Sequence, residues 1–239
     1  MVFRLRITAA VIMPFLVAAV GIQTGAANSL GAADPIALYG KEMLFDVRRN
    51  GEPVGQHRVT FSRTENGQVR VVARLDLTVR FFGVPVYLYE YRSDARWIGG
   101  RLFRLNAEQN DDGAVSTVRV VLQGKSLVIE GPKGSSRGKP GLYPTNHWNA
   151  AVLNERQVID TLEGRVANVT IRDAGREQVR AEGRVIETTK YVYRGDVETT
   201  TWYDDDRRWV KMRFVAKGGS VIDYECIRCG LGTSSGSMN

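Results

Sequence analysis

Residues 68–80, QVRVVARLDLTVR, decide the fold class, because apolar and polar side chains alternate along the stretch. One set of alternate positions is apolar throughout, namely Val69, Val71, Ala73, Leu75, Leu77 and Val79. The other set is mostly arginine, aspartate and threonine, which predicts a strand with one buried and one solvated face. At roughly 3.3 Å per residue this strand spans about 43 Å, which favours a curved sheet or open barrel over a small sandwich.

Turn-forming residues recur at short intervals on both sides of this strand. They are Asn50-Gly51, Asn66-Gly67, Gly99-Gly100, Asp111-Asp112-Gly113, Gly195-Asp196 and Gly218-Gly219. Period-two patterns between these turns indicate about ten or more strands. The predicted fold is therefore mainly β, a long-stranded antiparallel curved sheet or unclosed β-barrel with one short helix.

The helix is predicted where the strand pattern is interrupted. Residues 142–155 hold Trp148, Ala151 and Val152 at helical spacing, and Pro144 suits the start of a helix. We expect this helix to fill the concave face of the sheet.

The stretch before it, residues 131–141 (GPKGSSRGKPG), superficially resembles a phosphate-binding loop. Its glycine spacing does not match, and Pro140 stands where a metal-binding Ser or Thr is needed. We expect an exposed, mobile basic loop, with contact between its three cations and anionic lipid headgroups as the alternative. Those cations are Lys133, Arg137 and Lys139.

The N-terminal residues have the pattern of a secretory signal peptide. Arg4 and Arg6 precede the apolar stretch Ile7–Val20. Two sets of small residues suited to signal peptidase follow, one ending at Ala27 and one at Ala33, and cleavage after Ala33 is preferred. The stretch is too short to span a bilayer, and no longer apolar stretch follows it. The predicted organisation is a signal peptide over residues 1–33, a single β-rich domain over 34–229 and a flexible tail over 230–239, in a periplasmic or secreted protein.

Composition supports a folded domain and argues against nucleic acid as a partner. The 239 residues are 43% hydrophobic and 25% charged, which excludes a disordered chain. The formal net charge of +7 is mild, and the basic residues are scattered singly rather than gathered in a run.

The last hairpin can be aligned from its charges. If residues 204–207 form the loop, opposite charges pair and Val197, Thr199 and Thr201 face the core, opposite Phe214, Met212 and Val210. The predicted register pairs Tyr203 with Arg208, Trp202 with Trp209, Thr200 with Lys211 and Glu198 with Arg213. It puts Trp202 and Trp209 on the wetter face as a cross-strand clasp. Asp204, Asp205 and Asp206 then form a turn and not a cation site.

Cys226 and Cys229 form a CxxC motif at the end of the last predicted strand. A redox motif needs the first cysteine at a helix start, and a metal site needs further ligands at a recognised spacing. A local structural disulfide is the preferred interpretation, which requires a turn at residues 227–228. We expect no metal and no cofactor.

His147 is the histidine most suited to lie near a pocket. A hydrolase using His147 with an acid such as Asp160 is a remote alternative, because the sequence holds no GxSxG or comparable nucleophile elbow. No catalytic residue is therefore assigned. The candidates for lining a ligand groove are Leu75, Leu77, Tyr87, Tyr89, His147 and Trp148, with Tyr91 on the same predicted strand as the two tyrosines.

Three segments resemble an uncharacterised family of exported proteobacterial proteins, domain-of-unknown-function family 6134, which is similar to family 3108. They are residues 39–55, the segment YPTNHWN at 143–149, and Trp202-Tyr203-Asp204 with Trp209-Val210-Lys211. The resemblance implies an unclosed β-barrel with a helix, similar to the periplasmic lipoprotein carrier and its outer-membrane receptor. It implies no activity and no catalytic residues.

The function expected from the sequence is non-enzymatic binding or transport of a lipid or another hydrophobic ligand. This expectation rests on the apolar face of residues 68–80 together with the aromatic side chains of Tyr87, Tyr89 and Tyr91. The alternative is an envelope scaffold whose barrel is filled by its own side chains and which binds other envelope proteins.

Overall fold

The computed structural model describes residues 34–232, which form one α-helix, fourteen strands and one 3-10 helix. The helix α1 spans Pro35–Tyr39 and the 3-10 helix spans Ala150–Asn154. The strands are β1 (Glu42–Arg49), β2 (Glu52–Arg63), β3 (Val69–Phe81), β4 (Val84–Ile98), β5 (Arg101–Asp111), β6 (Ala114–Gln123), β7 (Ser126–Gly131), β8 (Gly134–Gly138), β9 (Gln157–Asp160), β10 (Arg165–Ala181), β11 (Arg184–Gly195), β12 (Thr199–Tyr203), β13 (Trp209–Val215) and β14 (Val221–Arg228).

All fourteen strands belong to a single antiparallel sheet. Strands that are consecutive in sequence pair with each other, except β8 and β9. The first and last strands, β1 and β14, also pair. β1 pairs with both β2 and β14, so it joins an arm of β1–β8 to an arm of β9–β14. β8 and β9 remain unpaired with each other at the two edges, which confirms the predicted unclosed, mainly β architecture.

The sheet curls until its two arms touch. The turn between β7 and β8 meets the turn between β9 and β10, where a Cβ on Gly131 would lie 2.6 Å from Gly164 Cα. Pro144, between β8 and β9, forms an isolated bridge with Ile159. The curled sheet therefore encloses an interior lined by the inward faces of both arms.

The interior has two distinct ends, set by the alternating direction of the strands. The turns after β1, β3, β5 and β13 lie at one end, called here the upper end. The turns after β2, β4, β10 and β12, together with α1, lie at the lower end.

β3 confirms the strand predicted over residues 68–80. Its inward residues run from Val71 and Ala73, both fully buried, to Leu77 and Val79, which are half-buried. Burial therefore decreases along β3 towards the upper end.

The predicted helix over 142–155 is reduced to the single 3-10 turn Ala150–Asn154. Thr145 N donates to Ile159 O, and Ile159 N donates to Tyr143 O, so this segment lies beside β9 as irregular chain. Asn149 caps the 3-10 turn by accepting from Ala151 N. Residues 142–149 form the lower plug of the interior, because Leu142 and Trp148 are buried there through the tertiary packing and not by a helix.

Residues 131–141 are largely exposed, as predicted, but the prediction of a loop is wrong for residues 134–138, which form β8. The segment completes a hairpin in which Leu127 pairs with Gly138 and Gly131 with Gly134. Small residues suit this edge because a Cβ on Gly138 would lie 2.7 Å from Leu142 Cδ1. Lys133 pairs with Glu163 and Lys139 lies 3.5 Å from Glu155, so both cations contact the other arm.

The predicted register of the last hairpin is also wrong, although its turn lies where expected. Asp204 N donates to Arg208 O, but Thr200 pairs with Arg213 and Trp202 with Lys211. A bulge after Trp202 then pairs Tyr203 with Trp209.

Neither tryptophan of this hairpin lies on a wet face as predicted. Trp202 is buried beneath Lys190 and Lys211, whose ammonium groups lie 5.5 and 5.1 Å from its ring centroid. Trp209 packs into the interior at 4.3 Å from Phe45.

The C-terminal end of the described chain is packed rather than free. Leu231 is buried, and its backbone N–H donates to Glu182 Oε1. The signal peptide predicted over residues 1–33 and most of the predicted tail lie outside the described residues. Within residues 34–232 no helix has the length and apolar character needed to cross a membrane.

Candidate ligand site at the upper end

A cavity of about 560 Å³ lies at the upper end, between the β1–β2 turn and β3. Its volume falls within the range of roughly 300–1,000 Å³ found for small-molecule sites. The residues that line it are Arg49, Asn50, Glu52, Pro53, Val54, Thr78, Val79 and Arg80. The cavity therefore combines apolar side chains with a polar rim that holds two guanidinium groups and the carboxylate of Glu52.

Glycine at position 55 lets β2 approach β3 below the cavity. A Cβ on Gly55 would lie 1.9 Å from Asp76 O, which no side chain allows. Beside Gly55, Val54 packs against the core where the β1–β2 pairing shifts after Val47. This irregularity positions Val54 at the cavity instead of continuing the regular alternation of β2.

Four of the predicted groove residues lie on one inward strip that leads to this cavity. Leu75 pairs with Tyr91, Leu77 with Tyr89 and Val79 with Tyr87 across the β3–β4 ladder. Leu75 and Tyr91 are buried, whereas Leu77, Tyr87 and Tyr89 are half-buried. The apolar strip thus runs without a break from the core to the cavity.

The tyrosines of the strip are held by neighbouring strands. Tyr87 OH donates to Asp111 Oδ1 at 2.6 Å, and Tyr89 OH donates to Gln109 Oε1 at 3.1 Å. Burial, with the hydrogen bond to Asp111, raises the pKa of Tyr87 to about 12. Tyr87 is therefore a neutral hydrogen-bonded wall residue at neutral pH and not a phenolate nucleophile.

The other two predicted residues, His147 and Trp148, lie in the lower plug. Trp148 packs between Phe61 and Trp97, at centroid distances of 5.7 and 5.3 Å. His147 packs against Tyr193 and Trp209 at 5.3 and 5.7 Å. The structure therefore separates the predicted set into an upper wall and a lower plug.

Two tyrosine hydroxyls fix the backbone of the plug. Tyr39 OH donates to Trp148 O at 2.7 Å and accepts from Trp209 N at 2.9 Å. Tyr203 OH donates to His147 O at 2.8 Å. Because these groups are buried, the plug is anchored to α1, β12 and β13 by hydrogen bonds that water does not replace.

The wall and the plug meet at His57. Its ring lies 5.9 Å from Trp209, which contacts His147, and His57 pairs in register with Leu75 of the wall. Burial lowers the pKa of both histidines to about 4. Both imidazoles are therefore neutral at pH 7 and form the aromatic floor beneath the strip.

Asp160, the acid considered as a partner for His147, caps a turn instead. Its Oδ1 accepts from Leu162 N and Glu163 N at 3.0 and 3.1 Å. The contacts of the His147 ring are aromatic, and its Nδ1 has no hydrogen-bond partner within residues 34–232. This arrangement gives His147 no oriented carboxylate, which a catalytic imidazole ordinarily requires.

Cys226 and Cys229 are joined by a disulfide at the lower end, with their Cα atoms 6.1 Å apart. Both are buried, and Glu182 Oε1 accepts from Cys229 N at 2.5 Å. The bridge holds the end of β14 against the β10–β11 turn, far from the cavity. In the described part of the chain, no cluster of three or more His, Cys, Asp or Glu side chains could hold a metal ion.

The sequence analysis missed the polar rim of the cavity. Arg49 and Arg80 are adjacent only because β1 and β3 flank β2, and their sequence positions do not indicate this. One feature of the sequence could have directed attention to this end of the strip. The apolar run Phe81-Phe82-Gly83-Val84 follows the strip directly and forms a turn, where polar residues are usual.

Comparison with known proteins supports the fold and assigns no activity. A family model described as a domain of unknown function, DUF6134, matches residues 45–227. The crystal structure of a β-barrel-like protein of domain of unknown function DUF1849 from Brucella abortus is similar in fold, with a TM-score of 0.57 and 11% identity over 80% of this chain and 97% of that one. No curated protein matches the sequence.

Proposed function

This chain belongs to the DUF6134 family, and from that premise we propose that it is a non-enzymatic binding protein for an amphiphile with an acyl chain and an anionic head. The observation that carries the proposal is the continuous apolar strip from Leu75 to Val79, which ends at a cavity with Arg49 and Arg80 on its rim. An acyl chain would lie on the strip, and the head would pair with the guanidinium groups.

The depth of the site limits the size of the ligand. Below Leu77 the interior is filled by Leu75, Tyr91, His57 and Trp209, all of which are buried. The ligand would therefore be held near the upper end, with its chain along Leu77 and Val79, rather than enclosed completely. Such a shallow site suits a carrier that exchanges its ligand.

We propose that the protein works outside the cytoplasm, in the periplasm or after secretion. The disulfide between Cys226 and Cys229 supports this location, because such bridges persist in oxidising compartments. The secretory pattern of residues 1–33 supports it independently.

Binding of parinaric acid, a fluorescent fatty acid, tests the proposal. We expect saturable binding, and we expect Val79→Asp to weaken it about tenfold or more, because the change puts a charge on the apolar wall. Val79 is half-buried, so this variant should fold. Val115→Asp is the matched control, since Val115 is exposed on β6 away from the cavity.

Mass spectrometry of the protein purified without detergent, before and after solvent extraction, identifies the natural ligand class. A bound amphiphile in the wild type, absent from Val79→Asp, supports the proposal. If the wild type carries no ligand and parinaric acid does not bind, the proposal is wrong.

A scaffold role is the second candidate, favoured by the lower plug. Trp148, Trp97, Phe61 and Tyr39 fill the lower interior with their own side chains. A protein that needs no ligand to complete its core could act by binding other envelope proteins. Recovery of a stoichiometric protein partner with an empty cavity would favour this candidate.

A further inference from the structure

The ladder between β3 and β4 continues at the upper end beyond the points at which β2 and β5 stop pairing with them. Pairing of β2 with β3 ends at Gly55 with Leu77, and pairing of β4 with β5 ends at Tyr89 with Asp111. The β3–β4 ladder continues to Phe81 with Val84. Residues 78–88, called here the hairpin tip, therefore extend about 13 Å beyond these two ladders, at roughly 3.3 Å per residue. On one side of the tip, β2 runs on to Glu52 but is separated from β3 by the cavity.

The hairpin tip is apolar where it is most exposed. Phe82 is 91% exposed, Phe81 65% and Val84 62%. Val86 and Leu88 are exposed on the same hairpin, and Phe81 and Phe82 contact each other with their ring centroids 4.5 Å apart. Contiguous apolar surface of this kind on a projecting element indicates a binding surface.

The backbone conformation of the turn at Phe82 does not favour phenylalanine. Phe82 and Gly83 both have left-handed φ angles, 49° and 82°, which favour Asn or Asp in the first position and disfavour a bulky side chain. Three other turns of the described chain have the same pattern with a polar first residue, Asn50-Gly51, Asp112-Gly113 and Glu182-Gly183. Phenylalanine here costs conformational energy and, apart from its contact with Phe81, buries almost no surface, which points to an external partner.

The charge of the hairpin tip indicates which partner fits. Residues 78–88 (TVRFFGVPVYL) contain one cation, Arg80, and no carboxylate. Arg80 Nη1 donates to Gly83 O at 3.2 Å, which holds the guanidinium beside the apolar turn. An apolar wedge with an adjacent cation is complementary to the surface of a bilayer that contains anionic lipid.

The exposed apolar residues are distributed unequally between the two ends of the molecule. Most of the large apolar side chains exposed in the described chain lie at the upper end, namely Phe81, Phe82, Val84, Val86, Leu88, Val115, Leu162 and Val215. The lower end exposes Ile98, Phe103, Val185 and Ile227. The molecule is therefore polarised, with its more apolar end at the hairpin tip.

We propose that the hairpin tip inserts Phe81 and Phe82 into the interface of an anionic lipid bilayer, with Arg80 at the phosphate level. This orientation turns the cavity, lined by Thr78, Val79 and Arg80 at the base of the tip, towards the membrane. The inference does not require the cavity to hold a ligand, so vesicle binding and fatty-acid binding are independent measurements.

Flotation of the exported protein, from which the apolar segment of residues 1–33 has been removed, with phosphatidylcholine vesicles, with and without phosphatidylglycerol, tests the inference. We expect binding that increases with phosphatidylglycerol. Phe82→Asn should weaken it about tenfold or more, since the insertion of one phenylalanine is lost. Arg80→Gln should weaken binding to the anionic vesicles about fivefold and change binding to phosphatidylcholine little.

The same variants separate membrane insertion from misfolding and from self-association. Phe82→Asn restores the favoured turn residue, so its thermal midpoint should equal or exceed that of the wild type. Val185→Asn, at the lower end, is the matched control and should bind vesicles as the wild type does. Equal vesicle binding by Phe82→Asn and the wild type would overturn the inference. So would a wild type that ignores vesicles but forms a dimer that Phe82→Asn abolishes.

Discussion

His57 and His147 show at the scale of single residues how the interior sets protonation. His57 packs against Phe45, Trp209 and Tyr224, and His147 packs against Tyr193 and Trp209. Burial disfavours the imidazolium in both, while a hydrogen bond to the Arg74 backbone partly opposes the effect at His57. Each pKa is about 4, against 6.5 in an unfolded chain.

This depressed pKa predicts that stability decreases as the pH falls from 6.5 towards 4. In that window the unfolded chain binds protons at His57 and His147 and the folded chain does not, so protonation favours unfolding. Above pH 6.5 both imidazoles are neutral in the folded and the unfolded chain, so their protonation no longer reduces stability. Each histidine should lower the free energy of unfolding by about 1.4 kcal/mol per pH unit within the window. Urea denaturation at pH 7.5, 6.0 and 5.0 measures this dependence. The first pH lies above the window and the other two lie within it.

The variant His57→Leu/His147→Leu is the control, because its slope above pH 5 should be nearly flat. Burial raises the pKa of Asp204, which acts in the opposite sense at more acidic pH, so the comparison stays above pH 5. A wild type whose stability is constant between pH 7.5 and 5.0 would contradict the assignment of both imidazoles as neutral and buried.

At the scale of elements, two glycines allow the arms of the sheet to meet. Gly131 ends β7, and Gly164 lies in the β9–β10 turn with a φ of 66°. A Cβ on Gly131 would lie 2.6 Å from Gly164 Cα and 3.0 Å from Glu163 O, which is backbone and cannot rotate away. The curl of the sheet therefore depends on two residues without side chains.

Gly131→Ala should consequently destabilise the fold by roughly 1–3 kcal/mol, the usual cost of overpacking. Gly232→Ala is the matched control, since no atom lies within 4 Å of the Cβ it would add. Chemical denaturation of both variants gives the comparison. Equal unfolding midpoints for Gly131→Ala and the wild type would show that the two arms do not meet at this seam.

Strand positions could be predicted from the sequence, whereas strand registers could not. The alternation in β3 identifies its buried face directly, because each side chain of a strand points opposite to the last. In the last hairpin, a slide by two residues preserves which face is buried, so the pattern could not distinguish Thr200 with Lys211 from Thr200 with Arg213. The bulge beside Tyr203 that turns Trp209 inwards leaves no trace in the pattern.

Tertiary contacts also decided the segments that the sequence analysis misassigned. Residues 134–138 are poor strand formers by composition, yet they pair with β7 because that edge is available. The plug at 142–149 has helical spacing but is held extended by its bonds to Ile159 and by the hydroxyls of Tyr39 and Tyr203. Such partners are distant in sequence, so local propensity could not anticipate them.

At the scale of the whole molecule, the candidate site arises from the curling of the sheet. The apolar strip is local to β3 and β4 and was predictable, but the cavity also needs the β1–β2 turn, and the floor needs Trp209 of the other arm. β1 supplies this connection because it pairs with β2 on one side and β14 on the other. The cavity is lined by the first arm alone, but the site with its floor is complete only when both arms are folded.

This dependence predicts a single cooperative unfolding transition for the described domain. The main core cluster includes Trp97 of the first arm, Trp148 of the plug and Trp209 of the second arm. Unfolding of either arm therefore exposes the tryptophans of the rest of the cluster to water. Far-UV circular dichroism and tryptophan fluorescence should therefore give superimposable denaturation curves. Gly131→Ala in the first arm and Gly195→Ala in the second, where a Cβ would lie 2.6 Å from Asn168 O, should each shift both curves by the same amount. If one variant moved the fluorescence transition and left part of the circular dichroism transition in place, the arms would be independent units, and the upper cavity could form without the lower plug.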